Sequence, residues 1–473
     1  LTLDGAKGEL REARGQLDLN IAGFVAARGD FGMASYAQQV TLSDGKTVDA
    51  DVLTLGGTNL QAFAGINGGY DEDGKLLDGA VGINLSDVSL GVALISEQLS
   101  GLEPAGTTAR EWTTVQANIG GASFDAIDGL TVAVNNLGLQ LNLASDVDDT
   151  VVDYSLTPLT TDASDARRTD LSVATGPDTD LVLTMDGAAG ELKRLTGNLT
   201  LDIFGLIKVN GDFGIESRQG EVRLAGVEDD PATEADETLV MVDMLLIGGH
   251  DMTAFAGAGR IGIELTGVDL GIALLTEQVE TVPGQAAPTA RAWTTVQATV
   301  DSAAFVGINN LTIAVNTFAL EVNQKAEDGS VVDYSRSNPS DDASVRKTVL
   351  EVPTGPATDL ELSIDGSRGD MTQLSGNLVI DIFGFVQVSG DFGITSADAT
   401  FTTADGTEAE GRALTIGVTN GRAFAGVGGS SDDRLGLELT GLDLGLVLFD
   451  SPDYADTYLD GYCTATAEQV ALS

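Results

Sequence analysis

Carboxylate side chains are the groups of this sequence best suited to hold a ligand. Three acidic turns and one recurring Gly-Asp-Phe-Gly motif supply them. Hard oxygen donors on turns suit Ca²⁺, although none of these stretches completes the ligand spacing of an EF-hand loop. The sequence predicts either specific calcium ligands or a loose counter-ion atmosphere at these residues: Asp30, Asp212, Asp391, Asp71, Asp73, Asp146, Asp148, Asp229 and Asp230.

Asp30, Asp212 and Asp391 stand apart because each lies between Gly and Phe at the same place in the recurring motif. A carboxylate at a turn or bulge also accepts hydrogen bonds from backbone N–H groups. The motif therefore favours a capping role for these three carboxylates, and calcium binding is the alternative.

The inventory of nucleophiles and bases argues against catalysis. The chain has one histidine, His250, and one cysteine, Cys463. Ser-His-Asp and Cys-His centres need such residues side by side, and zinc sites need clusters of them. Paired carboxylates are too frequent in so acidic a chain to indicate glycoside hydrolysis. We expect a protein that is not an enzyme and has no cofactor apart from Ca²⁺.

The charge balance excludes one class of partner. The chain has 24 Lys and Arg against 72 Asp and Glu, a formal net charge of −48. Phosphate binding needs clustered Lys and Arg, so nucleic acid is not expected as a partner. The charge also disfavours an anionic membrane surface. No apolar run approaches the roughly 20 residues of a membrane-spanning helix, so no membrane span is predicted.

Internal repetition gives the organisation of the chain. The anchors recur in fixed order with a period of about 180 residues. They are Asp4-Gly5, repeated as Asp186-Gly187 and Asp365-Gly366; Gly29 to Gly32, repeated at 211–214 and 390–393; Ala62 to Gly65, repeated at 254–257 and 423–426; Trp112 to Ala117, repeated at 293–298; and Val151 to Ser155, repeated at 331–335. The third copy is shorter than the first two. This is the pattern of a tandem repeat.

Alternation of apolar and polar residues predicts β-strands. Every second residue from Leu199 to Ile215 is apolar or glycine, and the other copies repeat this over 17–33 and 378–394. Glycines at fixed positions in these runs predict bends or bulges. The alternation changes phase at Gly267 and Gly441, which predicts a β-bulge at each. A short turn of helix is predicted only over Ile95–Leu99 and its counterpart at 275–279.

The predicted fold is all-β, with tandem antiparallel β-sandwich or flattened-barrel domains forming an elongated rod. A wide β-solenoid is the alternative. Residues 1–154, 181–334 and 360–473 are predicted as the first, second and truncated third repeat. The stretches 155–180 and 335–359, rich in Ser, Thr, Asp and Pro, are predicted as linkers.

The Gly-Asp-Phe-Gly turns, the Ala-Phe-Ala-Gly strand, the Val-Asp-Tyr spacer and the acidic, Cys-poor repeats together carry a family resemblance. The chain resembles the repeat regions of giant adhesin-like proteins, which are secreted or cell-surface proteins of Gram-negative bacteria. The resemblance implies export and a structural or adhesive role.

We therefore expect an extracellular or cell-surface fibre, filament or matrix protein. Its partners would be further copies or neighbouring repeats of the same protein, joined by strand addition. The alternative is a module that binds calcium, glycan or lipid on a sheet face or groove.

Overall fold

The computed structural model describes residues 8–100, 106–125, 129–145, 149–156, 167–227, 238–279, 288–338, 345–402, 406–429, 434–450 and 462–472. The chain forms two compact units, unit 1 (1–204 and 212–220) and unit 2 (205–211 and 221–473). Long antiparallel strands make up most of both, which confirms the all-β prediction.

Unit 1 contains a meander of seven long strands, in the spatial order β1-β2-β3-β4-β5-β6-β9. A two-stranded hairpin, β7-β8, accompanies it. The strands are β1 (Arg11–Ile21), β2 (Val25–Thr41), β3 (Thr47–Ile66), β4 (Val81–Glu97), β5 (Glu111–Asp125), β6 (Leu130–Leu143), β7 (Ser172–Ala174), β8 (Asp180–Val182) and β9 (Leu192–Ile203).

Unit 2 contains nine long strands in the order β11-β12-β13-β14-β18-β19-β20-β21-β22, again antiparallel throughout. A small hairpin, β16-β17, accompanies it, and β10 has residues of both units. The strands are β10 (Ile207–Ala225), β11 (Leu239–Ala258), β12 (Ile261–Glu277), β13 (Ala292–Val306), β14 (Leu311–Gln324), β15 (Val331–Val332), β16 (Glu351–Pro353), β17 (Asp359–Glu361), β18 (Met371–Ile382), β19 (Val386–Thr402), β20 (Glu408–Val427), β21 (Leu435–Asp450) and β22 (Tyr462–Leu472).

Successive copies of the repeat share a sheet within each unit. In unit 1, β6 of the first copy pairs along its length with β9 of the second copy. In unit 2, β14 of the second copy pairs with β18 of the third. The predicted tandem of β-sandwich domains is therefore wrong, because the strands that join successive copies are hydrogen-bonded neighbours in one sheet.

The first recurring glycine of each alternating run lies in a tight hairpin, and the strand pairing changes register at the second, as at Gly29 and Gly390. Ile21 pairs with Val25 across a three-residue loop in which Ala22 and Gly23 have φ of 51° and 72°. Phe204 and Gly205 repeat these positive φ values, at 53° and 68°. Gly23 and Gly205 adopt such φ angles at no steric cost, whereas Ala22 and Phe204 adopt them with some strain, so glycine at the second position limits the strain of the loop.

The predicted bulges are confirmed, and the predicted helical turns are not. Gly267 and Gly441 have φ of 59° and 63°, and the pairing of β11 with β12 changes register opposite Gly267. Ile95 lies inside β4, which continues to Glu97, so that segment is strand instead of helix. Within the described ranges the helical elements are two short 3-10 turns, Gly187–Ala189 and Gly366–Arg368.

Each small hairpin belongs to a lobe that covers one face of its sheet. Lobe 1 comprises residues 149–156 and 167–191, and lobe 2 comprises 329–338 and 345–370. Under lobe 1, Tyr36, Val52, Ile95 and Trp112 form a buried cross-strand row. A corresponding core lies under lobe 2. We call this side of each sheet the lobe face.

Parts of the stretches predicted as linkers contribute to these cores. Leu171 and Val173 are fully buried in lobe 1, and Leu350 and Val352 are buried in lobe 2. The domain boundaries themselves stay a prediction. In the described ranges, no helix has the length and apolar character needed to cross a membrane.

Candidate functional site

The three recurring carboxylates accept hydrogen bonds from side-chain amides on neighbouring strands. Asp30 accepts from Gln16 Nε2 at 3.1 Å and from Asn59 Nδ2 at 3.3 Å. Asn198 donates to Asp212 at 2.9 Å, and Asp391 accepts from Asn377 at 2.9 Å and Asn420 at 3.1 Å. The amide donors were not anticipated from the sequence, because they lie on strands paired only in the folded sheet.

Asp71 organises the loop between β3 and β4. Its Oδ1 accepts from the backbone N–H groups of Asp73 at 3.0 Å and Lys75 at 2.8 Å, an Asx-type turn. Asp73 and Asp30 line the same cleft. In the part of the chain that the structure describes, no group of three or more His, Cys, Asp or Glu is placed to hold a metal ion. Asp146, Asp148, Asp229 and Asp230 lie outside the described residues.

His250 and Cys463 lie on different strands. His250 belongs to β11, where Nδ1 lies 2.7 Å from Asp269 Oδ1. Cys463 lies in β22, paired in register with Leu446. The calcium assignments and the absence of catalysis stay predictions.

The Val-Asp-Tyr motif anchors each lobe to its sheet and is not a spacer. Tyr154 Oη and Thr114 Oγ1 are 2.8 Å apart, and Thr114 donates to Asn142 Oδ1 at 3.2 Å. Asn142 Nδ2 in turn donates to the Val152 carbonyl at 2.8 Å. The second copy repeats the chain of bonds with Tyr334, Thr295 and Asn323. These buried polar groups satisfy one another, so the lobe sits in one fixed position.

The opposite side of the unit 1 sheet is an open aliphatic surface, which we call the aliphatic face. Cross-strand pairing aligns an entirely apolar row near the β1–β2 turn, and the exposed fractions of Ile21 and Ile83 are 54% and 53%. The next row along the strands is also apolar. The two rows are Ile21, Val25, Ala64, Ile83, Phe124, Val132, Leu201 and Leu19, Ala27, Ala62, Leu85, Ala122, Val134, Leu199.

Unit 2 carries the same surface on its own sheet. Ile263 is 57% exposed, and its row runs without a charged residue over eight strands. The row is Ala256, Ile263, Phe305, Ile313, Ile380, Val388, Ala423 and Leu439. The alternating pattern identified these positions as apolar, but it placed them in a buried core. In the described part of the chain, Ala256, Ile263 and Ile313 of this row are exposed and its other members are half-buried.

At the same end of the unit 1 strands, the lobe face is polar. Asp18, Arg28 and Gln61 line a cleft of about 410 Å³ there, and the Arg28 guanidinium donates to the Asp71 carbonyl at 3.0 Å. The sheet is thus amphipathic at this end, with polar and charged side chains on one side and aliphatic side chains on the other. This contrast is the most distinctive feature of the described residues.

Comparison with known proteins gives no family. No family model matches the chain, and no curated protein matches it. Among solved structures, Pseudomonas aeruginosa OccK5 (OpdH) aligns at 10% identity and a TM-score of 0.19, covering 97% of this chain and 96% of that one. The ferric-catecholate import receptor Fiu of E. coli K12 aligns at 11% identity and a TM-score of 0.21, covering 96% and 72%. TM-scores this low define no common fold and imply no activity.

The expected membership of the giant adhesin-like class is wrong. The repeats do not form separate sandwich domains strung along a fibre, since β6 and β9, and β14 and β18, pair across successive copies. The predicted role as an adhesive fibre, filament or matrix protein is therefore wrong as well.

Proposed function

We propose that this chain is a non-catalytic β-sheet protein of the cell envelope whose aliphatic face lies against lipid acyl chains. The observation that carries the proposal is the pair of uncharged, uncovered rows through Ile83 in unit 1 and Ile263 in unit 2. Soluble monomers rarely expose contiguous apolar patches beyond a few hundred Å².

The chemistry of the rows fits acyl chains. Their side chains are Ala, Val, Ile, Leu and Phe and carry no hydrogen-bonding group. The backbone groups of the interior strands are already hydrogen-bonded to neighbouring strands. Contact with lipid therefore leaves no N–H or C=O group there without a partner. Each CH₂ group that moves from water into the acyl chains makes the free energy of membrane binding about 0.8 kcal/mol more favourable.

Charge favours lipid over a second copy as the covering layer. Each chain carries −48, and stacking two sheets would concentrate this like charge. Zwitterionic lipid adds no net charge, whereas anionic lipid is disfavoured for the same reason. The lipid class is therefore neutral or zwitterionic.

Vesicle flotation tests the proposal. The full chain is expected to float with phosphatidylcholine vesicles, and Ile83→Lys with Ile263→Lys should abolish this. A lysine on a lipid-facing strand position costs about 2–4 kcal/mol at mid-bilayer, so the pair should lower partitioning at least about tenfold.

Val345→Lys is the matched control, because Val345 is exposed in lobe 2 and lies off the aliphatic face. It should float like the parent chain. Failure of the parent chain to float, or equal flotation of all three proteins, contradicts the proposal. A dimer in buffer that Ile83→Lys dissociates would identify a second copy as the cover instead.

A further inference from the structure

Aromatic side chains recur in the hairpin turns beside the aliphatic face. In unit 1, Phe24 lies between β1 and β2, and Phe204 directly follows β9. In unit 2, Phe383 and Phe385 flank the glycine between β18 and β19. These four side chains are 52% to 59% exposed. Packing among the described residues therefore does not explain why aromatic residues occupy these turns.

Backbone geometry does not explain these aromatic residues either. Phe204 and Phe383 have φ of 53° and 52°. A bulky residue with φ in this region is an outlier, whereas Asn, Asp and Gly occupy it at little cost. An apolar surrounding would stabilise such a side chain, because transfer of the ring out of water is favourable. The turns thus have the chemistry expected of groups that enter lipid.

The aliphatic face of unit 1 changes from apolar to charged along its strands. We call the end with the β1–β2 hairpin the turn end of unit 1, and the row through Ile83 lies there. At the opposite end, Asp51 pairs with Ser96, and Ser96 pairs with Glu111. Val52, the neighbour of Asp51, is buried under lobe 1, so the row of Asp51 lies on the aliphatic face. Both carboxylates of this row are exposed.

The aliphatic face of unit 2 has the same gradient. Its turn end is the end with the β18–β19 hairpin, and the row through Ile263 lies there. At the opposite end, exposed Asp243 pairs with Thr276. Met244, the next residue, is buried in the core under lobe 2, so Asp243 lies on the aliphatic face. A further charged row at that end comprises Asp398, Arg412 and Asp450.

The acidic loop between β3 and β4 also lies at the turn end of unit 1, but it packs on the lobe face. A Cβ on Gly68 would overlap the ring of Phe63, which is buried on that face. The Tyr70 hydroxyl donates to Asn84, the cross-strand partner of Phe63, at 3.1 Å. Asp73 lines the polar cleft of the same side. The carboxylates of this loop therefore leave the aliphatic face uninterrupted.

We propose that each sheet enters a lipid layer turn end first, with its turn phenylalanines among the acyl chains and its charged rows in water. The inference rests on the lipid contact proposed above and adds the direction of insertion. A sheet lying flat on lipid would place Asp51, Glu111 and Asp243 against acyl chains, which is costly for a carboxylate. Insertion by the turn end keeps these groups hydrated and removes the exposed rings from water.

Depth-dependent fluorescence quenching tests the direction of insertion. The chain has one cysteine, so Cys463→Ser gives a background in which a new thiol can carry an NBD label. Phe24→Cys and Phe383→Cys place the label at the turns. Ser96→Cys and Thr276→Cys are the matched controls, because these residues lie in the far rows of the same face. On phosphatidylcholine vesicles, lipid with a mid-chain doxyl group should quench the turn labels and leave the control labels unquenched.

The double variant Phe204→Asn and Phe383→Asn gives a second measurement. Asn adopts a positive φ with less strain than Phe, so the melting temperature in buffer should not fall. Partitioning onto phosphatidylcholine vesicles should fall at least about tenfold, because two rings no longer enter the acyl chains.

Quenched turn labels, unquenched control labels and weaker flotation of the double variant support the proposal. A parent chain that does not float contradicts the lipid contact itself, and the direction of insertion with it. A parent chain that floats while its turn labels stay unquenched, or while all four labels are quenched alike, contradicts the direction alone. Unchanged flotation of the double variant also overturns the direction. A blue shift of the turn labels in buffer without vesicles would show that a second copy covers the turns, and it overturns the proposal as well.

Discussion

Gly187 and Asp153 lie so close that no side chain fits between them. The Gly187 backbone N–H donates to Asp153 Oδ1 at 3.1 Å, and a Cβ on Gly187 would lie 2.6 Å from the Asp153 Cβ. Gly366 and Asp333 repeat both distances. The Asp-Gly anchor and the Val-Asp-Tyr motif recur together because they meet in each lobe.

Gly187→Ala is therefore expected to destabilise the protein. The added methyl must displace the Asp153 side chain or the 3-10 turn, which costs about 1–3 kcal/mol for overpacking of a filled site. Calorimetry should show a lower melting temperature. Gly393→Ala is the control, because its Cβ enters open space and should cause no loss. A Gly187→Ala protein as stable as the parent chain would show that the lobe tolerates the methyl.

Removing a buried hydroxyl should weaken the lobe without creating a cavity. Tyr334→Phe deletes the 2.9 Å contact with Thr295, whose hydroxyl keeps its bond to Asn323. The expected loss is about 1 kcal/mol. Urea titration followed by circular dichroism measures it. Tyr70→Phe is the comparison, because the Tyr70 hydroxyl bonds to Asn84 in a half-buried site and should matter less. Equal losses of unfolding free energy in Tyr334→Phe and Tyr70→Phe would contradict the prediction that the buried lobe hydroxyl contributes more to stability.

The strands and the bend at Gly23 could be predicted from the sequence, but not that this bend is a hairpin turn between two strands. The loop from Ile21 to Val25 spans an even number of residue steps, so both ends point to the same face. The alternation from Leu17 to Met33 therefore continues unbroken through the turn and resembles one long strand. The phase changes at Gly267 and Gly441 were visible, because a bulge shifts the alternation by one residue.

The lobes and the aliphatic face depend on tertiary structure. Leu171 and Val173 are sparse apolar residues in a polar tract, and only packing on a sheet makes them core. The rows through Ile83 and Ile263 have the composition of a core, and nothing local distinguishes a buried face from an uncovered one. Local sequence thus identified the apolar positions but not what each of them faces.

Acid stability should depend on Asp333. Burial alone would raise the pKa of this carboxyl, but the hydrogen bonds donated by Lys347, Ser335 and Gly366 outweigh burial and hold it below its ordinary value of 3.8. A depressed pKa contributes stability that is present above the unfolded value and is lost as the pH falls through the folded value. Below about pH 4 the parent chain should lose this contribution, as measured by urea titration across acidic pH.

Asp333→Asn should be less stable than the parent chain at neutral pH and should show a shallower loss on acidification. Glu408→Gln is the control for general charge effects, because Glu408 is exposed at the start of β20. Parallel acid profiles for the parent chain and Asp333→Asn would contradict the prediction.

Alkaline stability should depend on the two lobe tyrosines. Complete burial raises the pKa of Tyr154 and of Tyr334 well above 10.0, although the contacts with Thr114 and Thr295 act in the opposite direction. A raised pKa favours the neutral phenol in the folded state, so its contribution is complete below the unfolded value near 10 and is lost as the pH rises above it. Unfolding followed by tyrosinate absorbance should therefore become steeply pH-dependent above about pH 10. The double variant Tyr154→Phe and Tyr334→Phe should be less stable at neutral pH but less pH-dependent in this alkaline range, because it loses two buried phenols. The phenol of Tyr36, whose pKa burial raises to about 12, remains. If the parent chain and the double variant lose stability in parallel above that pH, other groups control alkaline unfolding and the lobes do not.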